Sequence, residues 1–453
     1  MSEENAYGRT GGRYANFARQ QNARYWNRYN DEQRRDRDRR ESEAGHPVRC
    51  DAEAYEEFVD TVFSEEQLIR AITANRREKG LSPGRSGISF DDLDRSTLWE
   101  LIRSIRRALQ SGLYRPQPER SVSLPRRGKA PRQLRLLEIG DRAVATLLNH
   151  QLQLRDSKLF IDSQTVHSLA YRPRRCVEDT VLLIEAAVAA GRTEFLSADL
   201  KDAFEHVRIE SVLDRLRCAE VNPHLKRLVE VVLKGAEEKT IGISQGTTIG
   251  PTCFNAALDQ LHDRPFAEWC DWHYSAAFPS QPICIRYADD LLYLAPPGSL
   301  QEAVQEALSF LNDAELYTGQ QANRPEHSPV LQNLEEPGVS LTMVGLTHRL
   351  VDGELHTAPS SKSWERILDV IQRAHEGPTP HTHAEEGVKG WIVQHGPGFR
   401  QTSDRAEYAT RLCNHLDEAD FGELLQESEL VSLMESSHTR WNTYREQHRS
   451  LPS

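Results

Sequence analysis

The apolar and polar positions change period several times along the chain, and each change predicts an element. Residues 54–72 (AYEEFVDTVFSEEQLIRAI) and 96–114 (STLWELIRSIRRALQSGLY) repeat at helical spacing, the second with apolar residues at 98, 101, 102, 105 and 109. The stretch between them, EKGLSPGRSGISFDDL, reads as loop. Residues 120–137 alternate and are punctuated by Pro and Gly, which predicts a hairpin. IGDRAVATLLNHQL, residues 139–152, predicts a helix opening at Asp141, and SLAYRPRRCVEDTVLLIEA, residues 168–186, a loop running into a helix. TEFLSADLKDAFEHV, residues 193–207, predicts a short strand ending at Asp199 and a helix start near Asp202–Phe204. IGISQGTTIGPTCFNAAL, residues 241–258, is a Gly-rich turn followed by a helix of small and apolar residues. IRYADDLLYLA, residues 285–295, is strand, tight turn and strand, with Asp289 and Asp290 at the tip. A helix over 300–316 and a hairpin over 339–350 around Gly345-Leu346 follow. Beyond 351 the pattern is helical, with WERILDVIQRA and YATRLCNHL the clearest amphipathic pieces.

Composition narrows the class. A chain of 453 residues holds two or three lobes and a sizeable core. The longest apolar run, VLLIEAAVAA at 181–190, is about half of a membrane span and carries Glu185. No N-terminal stretch has a signal-peptide core, so a cytoplasmic protein with no membrane partner is expected. The seven cysteines are scattered without a Cys-x-x-Cys pair, which suits a reducing compartment and argues against structural zinc. His381 and His383 have metal-pair spacing, but no second cluster completes a site, and a surface loop is the better reading.

The net charge of −12 would repel nucleic acid if it were spread evenly. It is not. Residues 115–135 carry seven Arg or Lys against Glu119 alone, and residues 8–30 carry five Arg and no acid. Within residues 1–46 the first part interleaves Arg with Tyr, Phe and Trp, and the second, DEQRRDRDRRESE, mixes six acids with five arginines. An RNA-contacting arm, a solvated tail and an oligomerisation arm are all compatible with that composition.

Two adjacent aspartates on a tight turn repel each other unless solvent or a cation relieves them. Alone, Asp289-Asp290 reads equally as a solvated turn or half of a divalent-metal site. Asp199 at the end of an earlier strand, with the Gly-rich loop between, supplies a third carboxylate in a set order. Gln245 follows Asp199 by 46 residues, and Asp289 follows Gln245 by 44.

In that order and spacing the chain resembles a reverse transcriptase. Asp199-x-x-x-x-Phe204 resembles the first palm motif, Gln245-Gly246 with Pro251 the nucleotide-binding loop, and Tyr287-Ala288-Asp289-Asp290 the Tyr-x-Asp-Asp box. The resemblance covers about residues 120–350 strongly and 50–120 more weakly. It implies an α+β right-hand polymerase: a low-complexity extension (1–46), fingers (47–190), a palm of antiparallel sheet packed on helices (191–350) and a helical thumb (351–453). It implies an RNA-directed DNA polymerase that adds deoxynucleotides by two-metal transfer, with Mg²⁺ as cofactor and Mn²⁺ as the other candidate. Asp199, Asp289 and Asp290 would be catalytic and would hold the metals, assisted by the Leu200 carbonyl. Lys129 and Arg132 would grip the triphosphate, Gln245 and Gly246 would line the nucleotide pocket, and Phe204 would exclude a 2′-hydroxyl. A buried core ring is the other reading of Phe204. The chain departs from the family in two places. Gly250 stands where Ser is common, and LYTGQQANRPEH after the post-hairpin helix has no Lys, leaving Arg324 or a His as substitutes.

About 100 residues follow the expected palm, enough for a thumb, and no nuclease, integrase or retron Val-Thr-Gly signature is present. By elimination the chain resembles the stand-alone bacterial enzymes of phage defence and abortive infection. That implies a dedicated noncoding RNA as template, a DNA product and, as in many of those groups, a homo-oligomer. A retron-like or group II intron-like enzyme, or a catalytically silent nucleic-acid-binding scaffold, is the alternative. The three intact carboxylates favour catalysis.

Overall fold

The computed structural model describes residues 52–79, 82–126, 129–154, 159, 167–274, 281–318 and 331–448. The Arg-aromatic extension over 1–46 and Arg324 lie outside the described residues. The chain divides into two compact units, Met1–Thr61 and Val62–Ser453. The helical stretch expected over 54–72 is two helices, α1 (Ala52–Val62) and α2 (Glu65–Lys79). Ser64 breaks it by accepting the Gln67 amide on its side chain at 3.3 Å, an N-cap in the middle of the periodic run.

In chain order the larger unit continues with α3 (Arg95–Gln110), the hairpin β1 (Arg120–Arg126) and β2 (Lys129–Leu136), α4 (Ile139–Leu152), α5 (Val177–Ala189), β3 (Glu194–Asp199), α6 (Ala203–His206), α7 (Ile209–Cys218) and α8 (Pro223–Lys234). Next come α9 (Gly250–Leu258), a π-helical turn (Asp259–Asp263), α10 (Arg264–His273), β4 (Ile283–Tyr287), β5 (Asp290–Ala295) and α11 (Leu300–Asp313). Strands β6 (Gln332–Asn333), β7 (Leu341–Met343), β8 (Leu346–Val351) and β9 (Glu354–Pro359) precede α12 (Ser361–Arg373), α13 (Pro380–Gln394), α14 (Thr402–Glu418) and α15 (Glu427–Gln447). The class is α+β, as expected.

Two further expectations shift. The helix expected to open at Asp141 starts two residues earlier, at Ile139. Asp141 turns inward, 7% exposed, and accepts the Tyr114 hydroxyl and the Gln117 amide, each at 2.8 Å. Burial pushes its carboxyl up to about 6 although both hydrogen bonds pull it down. The hairpin expected over 339–350 is a three-stranded sheet in the order β7-β8-β9. Asp352 (φ 51°) and Gly353 (φ 79°) form the tight turn that adds the third strand.

The central sheet has the order β4-β5-β3-β6, antiparallel throughout. Its middle strand β5 is buried at every position after Asp290, which is why LLYLA reads as a continuous apolar run rather than an alternating one. Phe195, Ile285, Leu292 and Leu294 of the sheet pack with Leu183, Ile184 and Ala187 of α5 and with Leu341 and Met343 of β7. A second core joins α12, α13, α14 and α15 through Trp364, Trp391, Phe399, Leu412 and Met434. The two meet where Trp441 of α15 packs on Val181 of α5 and Leu346 of β8. There Tyr444 donates to Asp179 at 2.8 Å and Arg445 pairs with Glu185 at 2.8 Å. The helical C-terminal part is thereby tied to the helix beneath the sheet.

Candidate active site

The carboxylates come together through strand register. Asp199 ends β3 and lies directly opposite Asp290, the first residue of β5. Side chains facing each other across an antiparallel pair stand roughly 5 Å apart at Cβ. The β4–β5 turn is therefore tighter than the sequence suggested. Only Ala288 and Asp289 lie outside the strands, and Tyr287 pairs with Asp290. Ala288 takes a left-handed conformation (φ 59°), which a residue with a Cβ adopts only at a cost. Asp289 is stitched to the neighbouring strand, because its carbonyl accepts the Leu200 amide at 3.0 Å. Leu200 itself is 2% exposed.

Asp199, Asp289 and Asp290 line an open cleft of about 1200 Å³ together with Ser197, Tyr287, Met343 and Gly345 and with Lys362, Glu365, Arg366 and Asp369 of α12; Leu200 is not among its lining residues. Withdrawal from bulk solvent, then the charges of Asp289 and Asp199, push the Asp290 carboxyl up to about 6, while Lys362 and Arg366 pull it down. The rim thus carries negative charge that the protein only partly offsets. Lys362 and Arg366 were not anticipated from sequence. Their signal is the Lys-x-x-x-Arg spacing that puts both on one face of an N-terminal helical turn.

No group of three or more His, Cys, Asp or Glu among the described residues stands close enough to enclose a metal unaided. Asp199, Asp289 and Asp290 nevertheless fit a divalent ion in kind. They are hard oxygen donors with surplus charge, and Mg²⁺ is usually bound by one or two carboxylates with waters and substrate phosphates completing the shell. His381 and His383 lie in α13, far along the chain from these acids.

A second cluster forms where the β1–β2 hairpin meets the Gly-rich loop. Arg132 Nε donates to Gln245 Oε1 at 2.6 Å, and the Arg135 amide donates to the Gln245 carbonyl at 2.9 Å. Gly246 (φ 101°) lets the two backbones approach, since a Cβ there would lie 3.3 Å from the Arg135 carbonyl oxygen. Arg132, Gln245 and Gly246 are not among the residues lining the carboxylate cleft. Tyr171, half exposed on the loop before α5, links the two places. Burial first, then the Asp289 carboxylate, raises its hydroxyl, and the Arg132 guanidinium opposes them. Lys129 opens β2 opposite Arg126, and its side chain lies outside the described residues.

Phe204 is 8% exposed and stacks on Phe254 of α9, centroids 4.0 Å apart. Its carbonyl accepts the Ile243 amide at 2.7 Å, which ties the backbone just after the Asp199 strand to the loop carrying Gln245. Gly250 has a local explanation as well. A Cβ there would lie 2.8 Å from Thr247 Oγ1 and 2.9 Å from the Ser244 carbonyl oxygen, so this loop has no room for the Ser that the family favours.

Residues 124–321 match the family model described as reverse transcriptase (RNA-dependent DNA polymerase). The three carboxylates, Leu200, Phe204, Lys129, Arg132, Gln245 and Gly246 all fall inside that span, whereas the cleft residues of β7 and α12, Lys362 and Arg366 among them, lie beyond it. A search of curated proteins finds no match. Among solved structures, similar ones include the telomerase of Candida albicans in complex with a TWJ fragment of telomeric RNA (10% identity, TM-score 0.42), which is matched over 74% of this chain and 64% of that one. Apo telomerase from Candida tropicalis is another (9% identity, TM-score 0.41, 79% of this chain and 72% of that one). The chain thus spans just under two thirds of the first of these.

Proposed function

We propose that this protein, which carries a reverse transcriptase domain over residues 124–321, copies RNA into DNA at the cleft bounded by Asp199, Asp289 and Asp290. One observation carries the reading. The register pairing of Asp199 with Asp290, and the bond from the Leu200 amide to the Asp289 carbonyl, gather three acids on one rim inside the matched span.

Asp199 and Asp289 hold divalent ions, with Asp290 and the Leu200 carbonyl assisting. Two such ions supply the charge that activates a primer 3′-hydroxyl and stabilises a departing pyrophosphate. The β3–β5 strand pair is a rigid mount, so the carboxylates need no reorganisation when substrate arrives. Arg132, steadied by Gln245, and Lys129 hold the triphosphate, Arg as a planar fork and Lys as a point charge. Gly246 brings bare backbone to the nucleotide. Phe204, immobilised on Phe254, forms the wall that a ribose 2′-hydroxyl would strike. Lys362 and Arg366, which line the same cleft, take the primer backbone. The fingers, palm and thumb correspond to 47–190, 191–350 and 351–453, and the Arg-aromatic extension adds RNA contacts.

The finer assignment is a stand-alone bacterial enzyme of phage defence, acting in the cytoplasm as a homo-oligomer on a dedicated noncoding RNA. The motif pattern and the lack of a retron signature support it. No helix among the described residues is long and apolar enough to cross a membrane. The test is to sequence RNA and DNA that copurify with the wild type and with the Asp289→Ala/Asp290→Ala protein. The reading expects one enriched RNA in both and complementary DNA in the wild type alone. Equal DNA in the two preparations contradicts it.

A further inference from the structure

The side chain just before the aspartate turn is a buried cation. Arg286, on β4, is 1% exposed, and an arginine is that deeply buried only when its charge and its donors are met. Here they are met in an ordered way. Nε lies 3.0 Å from both carboxylate oxygens of Asp263, and Nη2 lies 2.6 Å from one of them. Nη2 also donates to Ser168 Oγ at 2.6 Å. Nη1 donates to Asn255 Oδ1 at 2.8 Å and to the Ala288 carbonyl at 3.0 Å. That last carbonyl belongs to the left-handed residue of the turn, and the next residue is Asp289.

The anchor is itself anchored. Asp263 closes the π-helical turn between α9 and α10, an irregularity in which Asp259 and His262 are buried and the Asp263 side chain keeps 11% exposure. His262 meets Asp263 at 2.9 Å and the Tyr293 hydroxyl at 2.8 Å. Tyr293 lies on β5, the strand that Asp290 begins. A closed polar circuit therefore runs from β5 through the π turn to Arg286 and back to the β4–β5 turn. Ordinary strand stability does not require it. A two-residue turn needs no buried guanidinium, and an apolar residue at 286 would avoid the desolvation cost.

We propose that Arg286 is a positioning residue: anchored by Asp263, it holds the Ala288 carbonyl and so fixes the strained turn that presents Asp289 and Asp290 to Asp199. This rests on the reading of those carboxylates as divalent-ion ligands. Groups that orient ligands in this way typically contribute about 10–100-fold to metal affinity. Lysine in place of Arg286 keeps one charge for Asp263 but loses the planar fork that reaches Ala288 at the same time. Ser168→Ala removes a different bond of the same guanidinium, on the side away from the turn.

The experiment measures Mn²⁺ binding by electron paramagnetic resonance on the wild-type full chain, Asp289→Ala/Asp290→Ala, Arg286→Lys and Ser168→Ala, with far-ultraviolet circular dichroism as the folding check. Tight Mn²⁺ sites in the wild type that the double aspartate variant lacks establish the metal reading. If wild type and that variant bind alike, the metal reading fails and this inference with it. Given that difference, a folded Arg286→Lys should bind at least about 10-fold more weakly, with Ser168→Ala within about threefold of wild type. Arg286→Lys binding like wild type overturns the positioning role and leaves the metal reading standing. A loss in Ser168→Ala equal to that in Arg286→Lys also overturns it, because the effect would then belong to the whole network. If Arg286→Lys does not fold, hydrogen exchange at the Leu200 amide of metal-free wild type decides. Slow exchange supports a turn held in advance of metal, and exchange as fast as in an exposed loop contradicts it.

Discussion

Placing at position 250 the serine that is common in reverse transcriptases should damage this protein. In Gly250→Ser the new Cβ would lie 2.8 Å from Thr247 Oγ1 and 2.9 Å from the Ser244 carbonyl oxygen, with Ile243 Cγ2 at 3.4 Å. The first neighbour is a side chain held in place by two bonds of 3.1 Å, one to the Ser244 carbonyl and one from the Gly250 amide. The second is backbone and cannot step aside alone. Overpacking of this kind costs roughly 1–3 kcal/mol. The loop that must move carries Gln245, which holds Arg132 at 2.6 Å. A displacement of about 1 Å in a substrate-positioning group can lower kcat/KM by up to about 100-fold. The urea midpoint of Gly250→Ser should therefore fall, and the KM for deoxynucleotides should rise more than kcat falls. Adding Thr247→Ala removes the nearer contact and should recover part of the stability. A Gly250→Ser protein with wild-type midpoint and wild-type KM refutes the account of this loop.

Three further outcomes are expected. Phe204→Val shortens the ring while keeping a buried side chain, so ribonucleotide incorporation should rise relative to deoxynucleotide; an unchanged ratio removes the gating role of the ring. Tyr444→Phe leaves Asp179, 1% exposed, without its 2.8 Å partner, and should lower the unfolding free energy read from urea titration by roughly 1–3 kcal/mol while leaving the Mn²⁺ affinity of the cleft intact. His348 is fully buried on β8, and burial lowers it from 6.5 to about 4. The unfolded chain then takes up a proton that the folded chain refuses, so stability falls between about pH 6.5 and pH 4. At about 1.36 kcal/mol per pKa unit the loss is up to roughly 3 kcal/mol. Asp141 works in the opposite direction over this range, so the effect is read as the difference in urea midpoint between wild type and His348→Gln at pH 7 and pH 5. Equal pH slopes in the two proteins contradict it.

How much of this could be read from sequence depends on how local the signal is. The strand ending at Asp199, the Gly-rich turn into α9 and the hairpin at Asp289-Asp290 each lie within a short window, and each appears near its expected place. Asp290 entering β5 rather than sitting at the tip could not be read, because register is set by pairing with β3, some 90 residues earlier. The third strand of the β7–β9 sheet had a signal in Asp352-Gly353, a dipeptide suited to a two-residue turn, yet the short flanking runs masked it. Arg286 was legible as a residue but not as a buried anchor. Its partners come from two segments far apart in sequence, Ser168 in the loop before α5 and Asn255 and Asp263 on α9 and the π turn that continues it, and only packing brings them together. Lys362 and Arg366 were hidden for the same reason. They read as the solvated face of a helix until that helix is seen to line the same cleft as Asp290.

The central claim is that the three acids perform templated DNA synthesis with a divalent ion. Incorporation of labelled dTTP on an oligo(dT)-primed poly(rA) template, with Mg²⁺ and with excess EDTA, tests it most directly when wild type and Asp199→Ala are assayed side by side. The account predicts product only for the wild type with Mg²⁺. Product of equal yield from Asp199→Ala, or from the wild type in EDTA, would contradict it.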